Sequence, residues 1–99
     1  VRQVALRGGD MRHGDGLEMR GRTLWVVRNV TDTASRWHVS PDGASARLER
    51  SVTNPALQIP TTAVRVHGRL LVVRSQFDKG GPMGPGTPVP FSVAAVDGI

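Results

Sequence analysis

The nine residues GRTLWVVRN at Gly21–Asn29 return with small changes as GRLLVVRSQ at Gly68–Gln76. Trp25-Val26-Val27-Arg28 aligns with Leu71-Val72-Val73-Arg74, 46 positions later. A chain of 99 residues holds two such units and little else. That repeat constrains the fold: each unit is too small to bury both its apolar faces and must stack on its copy.

The units read as strands. Leu24–Val27 and Leu70–Val73 are continuous apolar runs, the pattern of a strand covered on both faces. Leu17–Arg20, Trp37–Val39, Ala46–Arg50 and Ala63–Val66 alternate apolar with polar residues, the period of a half-buried strand. On this reading Glu18 and Glu49 face solvent. Val1–Leu6 is a further short apolar run that stops at RGGD. Pro41-Asp42-Gly43 is a turn with a mechanism: Pro presets φ, Asp bonds nearby backbone, and Gly accepts positive φ. No capped stretch of ten or more residues carries a 3.6 period, so no helix is expected.

The expectation is an all-β chain with two four-stranded antiparallel sheets stacked as blades of a β-propeller. A small β-sandwich whose strands happen to be similar is the alternative. Residues 1–12 would be an end strand of a preceding blade, 13–54 the first blade and 55–99 the second. Within the second, Asp78–Pro90 (DKGGPMGPGTPVP) is too rich in Gly and Pro to pair regularly and reads as a long loop inserted before Phe91–Val96. Two blades do not close a ring. The partners expected are missing blades of a longer chain or other copies of this one, three of which would make six blades.

Composition removes several functions. The net charge is +5, but the Arg residues are spread from Arg2 to Arg74 without a dense run. The only aromatic residues are Trp25, Trp37, Phe77 and Phe91. A nucleic-acid interface needs gathered charge with stacking aromatics, so none is expected. No apolar run approaches the ~20 residues of a membrane helix, so no membrane partner is expected either. VRQVAL is not a signal peptide, and the chain reads as starting inside a longer gene product. With no Cys there is neither a disulfide nor a thiolate metal site. No Gly-x-Ser-x-Gly elbow is present, and GGPMGPG lacks the Lys and the helix of a phosphate cradle. Trp25 and Trp37 suit burial between blades, each indole N–H needing one acceptor. His38 in a strand and His67 in a turn carry no chemistry.

HGDGLEMRGRTLWVVRN, followed by WHVSPDG, resembles the regucalcin and gluconolactonase family of six-bladed propellers. Its Asp-Gly-Met/Leu … Gly-x-Leu-Trp/Tyr-Val phrase is matched here by Asp15-Gly16-Leu17, Gly21, Leu24, Trp25 and Val26. Thr61-Thr62 is similar to the opening of the following blade, and the match covers most of Gly14–Val73. The resemblance implies a bacterial, secreted or periplasmic parent that hydrolyses a sugar lactone with a divalent cation, Ca²⁺ or Mg²⁺. It places Asp15 as metal ligand and catalytic carboxylate; His13, two positions before it, is by its ring nitrogens a further candidate ligand. The chemistry suits such a cation, which takes carboxylate oxygens and polarises a carbonyl. The family's remaining ligands, a Glu and an Asn, map onto nothing in this chain, and His13 stands where bacterial relatives have Asn. An isolated two-blade chain would thus be inactive. The alternative function is a non-catalytic binding or scaffold module that uses the propeller face and the 78–90 loop, or assembles with itself into a ring.

Overall fold

The computed structural model describes residues 1–99. It is all-β: β1 (Ala5–Arg7), β2 (Gly14–Arg20), β3 (Thr23–Arg28), β4 (Thr33–Val39), β5 (Ser45–Thr53), β6 (Pro60–Val66), β7 (Arg69–Arg74) and β8 (Ser92–Asp97). One 3₁₀ turn, Pro55–Leu57, links the two halves, capped by the Asn54 side chain on the Ala56 N–H.

The strands form two sheets, ordered β1-β5-β4-β3-β2 and β6-β7-β8. The first is an antiparallel meander from β2 to β5. The expected four-plus-four division becomes five plus three. Residues 1–12 form no strand of another sheet. Ala5–Arg7 instead pairs in parallel with Ser45–Arg47, covering the free edge of β5. The second sheet holds three strands because 78–90 adds only one isolated bridge, Lys79 to Pro85.

The core lies between the sheets. Trp25, Val27 and Ala34 of the first meet Ala63, Leu70 and Val72 of the second, with Leu57 and Ile99 closing the ends. The strands β2 and β6 meet at Gly16. A Cβ there would lie 2.6 Å from the Thr61 carbonyl oxygen and 2.8 Å from the Thr62 Cα, so only glycine fits. The guanidinium of Arg65 lies over the Trp25 ring at 4.6 Å, within cation–π range.

Of the two tryptophans expected between the sheets, only Trp25 is there. Trp37 lies on the opposite face of the first sheet, with Val26 and Ala46. The segment before β2 covers it: Met11 packs on this cluster, and a Cβ on Gly9 would stand 3.5 Å from the Trp37 ring. Both indoles find their acceptor, Trp25 in the Ile99 carbonyl at 3.2 Å and Trp37 in the Ser35 hydroxyl at 2.8 Å.

The phase of β2 is the reverse of the alternation reading. Leu17 and Met19 are 63% and 50% exposed. Glu18 sits across from Trp25, on the face toward the second sheet, and pairs with Arg20 at 3.5 Å. Glu49 is exposed as expected and pairs with Arg36. Alternation identifies which residues share a face, but a sheet with two apolar faces gives no cue to which one is covered.

Candidate functional site

Asp15 is the bulged residue of β2. Gly14 stands opposite Arg28 and Gly16 opposite Val27, leaving Asp15 as the extra residue between them. Bulges re-aim side chains at strand ends, and the Asp15 side chain meets the end of the neighbouring strand. Its Oδ2 accepts a hydrogen bond from Asn29 Nδ2 at 3.1 Å. Asn29 is itself held in place: its Oδ1 accepts from the Val30 N–H at 2.7 Å, and its N–H donates to the His13 carbonyl at 3.2 Å. His13 takes a left-handed conformation, φ 60°, and through its carbonyl rather than its ring ties the two turns together.

The surrounding charges are already paired. Asp10 Oδ1 accepts from the Arg12 N–H at 2.8 Å and meets the Arg28 guanidinium at 3.1 Å. The backbone hydrogen bond from Arg12, followed by the charge of Arg28, holds the Asp10 carboxyl below its ordinary pKa. Arg28 Nε also donates to the Arg12 carbonyl at 2.7 Å. Asp32 Oδ1 accepts from the Ile59 N–H at 2.7 Å, pinning this end of the first sheet to the start of the second.

A hard cation such as Ca²⁺ takes six to eight oxygens. No three His, Cys, Asp or Glu side chains gather anywhere in the chain. Around Asp15 one carboxylate oxygen is free of protein hydrogen bonds, the other is engaged by Asn29, and the Asn29 oxygen is engaged by Val30. These residues do not by themselves fit a divalent cation. The arrangement is a single carboxylate presented at the end of a strand, oriented by an amide.

Asn29 was not singled out from the sequence. The signal was available in the hairpin: with the turn at Gly21-Arg22, antiparallel pairing carries the start of β2 to the end of β3, where Asn29 follows.

The second surface feature is the 78–90 loop. Phe77 and Phe91 close its base in an edge-to-face contact, centroids 6.4 Å apart at 73°. Hydrogen bonds from the N–H of Met83 to the Phe77 carbonyl and of Gly86 to the Asp78 carbonyl fold the loop on itself. A shallow cavity of about 290 Å³ opens beside it, lined by Gln76, Phe77, Lys79, Pro88 and Phe91.

No family model, curated protein or solved structure matches the chain.

Proposed function

We propose that this chain is a two-blade section of a β-propeller whose own contribution is structural. The observation that carries this reading is the approach of one edge strand of each sheet, β2 against β6 at Gly16, with β3 to β5 and β7 to β8 following in sequence order away from that line and β1 added at the outer edge. Blades around a propeller axis are arranged in this way. The chain alone is inactive as a hydrolase because it offers one carboxylate where a cation site needs several donors. The test is an assay of the chain on sugar lactones with Ca²⁺ and with Mg²⁺. No turnover above background agrees with the reading. Turnover that disappears in Asp15→Ala overturns it and makes the chain an enzyme in its own right.

A second reading follows from the exposed carboxylate of Asp15, aimed by Asn29. In a ring completed by further blades, Asp15 would be one of the residues that hold a divalent cation, as the resemblance implies. Calorimetric Ca²⁺ titration of such a ring should show binding that Asp15→Ala abolishes. Binding unchanged in that variant removes Asp15 from the site.

A further inference from the structure

The chain displays outside the same two faces that it packs together inside. Inside, Trp25 and Val27 of the first sheet meet Ala63, Leu70 and Val72 of the second. Shifted by the 46-residue repeat, Trp25 and Val27 become Leu71 and Val73, while Ala63, Leu70 and Val72 become Leu17, Leu24 and Val26. Those equivalents lie on the two outer faces. On the second sheet, Val64, Leu71 and Ala95 form one cross-strand row and Val73 and Val93 adjoin it. Val64 and Val93 are 45% and 61% exposed, and the next row on the other side carries the exposed Arg69–Asp97 ion pair. On the first sheet, Leu17 and Met19 are exposed beside half-buried Leu24, while Val26 is fully buried with Trp37 and Ala46 where Met11 and the segment around Gly9 cover the face.

We propose that a second copy of this chain docks head to tail, laying its Leu17, Met19 and Leu24 face on the Val64, Leu71 and Val93 face of the first. This rests on the propeller reading above, and it names the occupant. A second copy fits because it brings the repeat equivalents of a sheet pairing the chain already makes within itself. The contact is heterologous, so each addition leaves one face of each kind free until a ring closes. A three-stranded face of six-residue strands measures about 14 Å by 20 Å, and one such joint falls short of a standard stable interface. Closure gives every chain two joints and is what makes the assembly persist.

The test is sedimentation velocity on the wild type and on L17K and V93K, each substituting an exposed position on one face only. The wild type is expected to sediment as an assembly larger than 10.6 kDa, and each variant alone as a single chain. Mixed together, L17K and V93K retain one intact face each and are expected to pair one to one only at about 1 mM, where a single weak joint forms, and to form nothing larger. A wild type that remains a single chain up to about 1 mM, where even weak joints form, overturns the proposal. So does either variant pairing with itself, which would mean like faces meet. Unchanged circular dichroism establishes that the variants fold; should either fail, M19K and V64K replace them on the same faces. The propeller reading fails by a separate observation, the absence of NMR contacts between Gly16 and Thr61–Thr62.

Discussion

The indole N–H of Trp25 donates to the carbonyl oxygen of Ile99 at 3.2 Å, joining residues 74 positions apart. Arg36 Nη1 reaches the same oxygen at 2.7 Å, and Arg50 Nη1 the Gly98 carbonyl at 2.8 Å. Three donors of the first sheet thus hold the residues after β8, and Ile99 fills the gap between the sheets at 1% exposure.

Trp25→Phe removes the indole N–H and some volume and leaves Arg65 a weaker ring to lie on, while Arg36 still satisfies the Ile99 oxygen. The expected loss of unfolding free energy is about 1 kcal/mol. Ile99→Ala opens a cavity in the core and should cost more, about 2–4 kcal/mol. Urea unfolding followed by tryptophan fluorescence measures both, and equal losses would contradict this division.

Ser35 is 3% exposed and works in two directions: its hydroxyl donates to the Val26 carbonyl at 3.3 Å and accepts from the buried Trp37 indole at 2.8 Å. Ser35→Ala leaves that indole N–H without a partner. The expected cost is about 1–3 kcal/mol, the desolvation penalty of an unpaired buried donor. Recovery of most of it in Ser35→Thr, read by the same urea melt, would tie the loss to the hydroxyl.

Much of this was legible beforehand. Both apolar runs became central strands, and the 41–43 turn formed as its residues demanded, with Gly43 at φ 72° and its N–H on the Ser40 carbonyl. What was not legible depended on partners distant in sequence. The place of Ala5–Arg7 was set by the free edge of β5, which no local pattern marks. The burial of Trp37 depends on Gly9 and Met11 crossing the far face of the sheet. Asp15 could be picked out by its motif, whereas Asn29 became visible only once the hairpin register was known. The absence of further ligands beside Asp15 likewise needed coordinates.

Asp42 accepts from the Ser40 hydroxyl at 2.7 Å and from the Ala44 N–H at 3.0 Å, and the Ser40 bond, then the Ala44 bond, lowers its pKa. Asp10 is lowered as well, first by the Arg12 N–H. With folded values below the unfolded one of about 3.9, the folded state binds fewer protons near that pH. Their stabilisation is complete above about pH 5 and is lost as pH falls through the folded values. Tm measured from pH 7 down to 2.5 should fall at the acid end, and Asp42→Ala should fall less steeply there while starting lower at pH 7.

Gly16→Ala forces a methyl group against the Thr61 carbonyl at 2.6 Å. Overpacking of this kind costs about 1–3 kcal/mol. Gly21 has open space around it but φ +57°, so Gly21→Ala costs about 1–2 kcal/mol through backbone strain alone. Chemical shifts separate the two: Gly16→Ala moves Thr61 and Thr62, and Gly21→Ala leaves them in place.

Asp15→Ala removes an exposed side chain with a single hydrogen bond and should change stability by less than about 0.5 kcal/mol. Asn29→Ala removes the acceptor of the Val30 N–H too and should cost about 1 kcal/mol. Thermal melts compare them; a larger loss for Asp15 would make its role structural.

The repeat puts Thr62 in the second unit where the first has Gly16. Inside one chain, the missing side chain lets the two leading strands meet backbone to backbone. On the outer face of the second sheet the same position carries an exposed hydroxyl and a methyl. A copy laid there, as proposed above, would stand off by the width of that side chain. The ring of three chains proposed above would accordingly have threefold and not sixfold symmetry, its seams within a chain closer than its seams between chains.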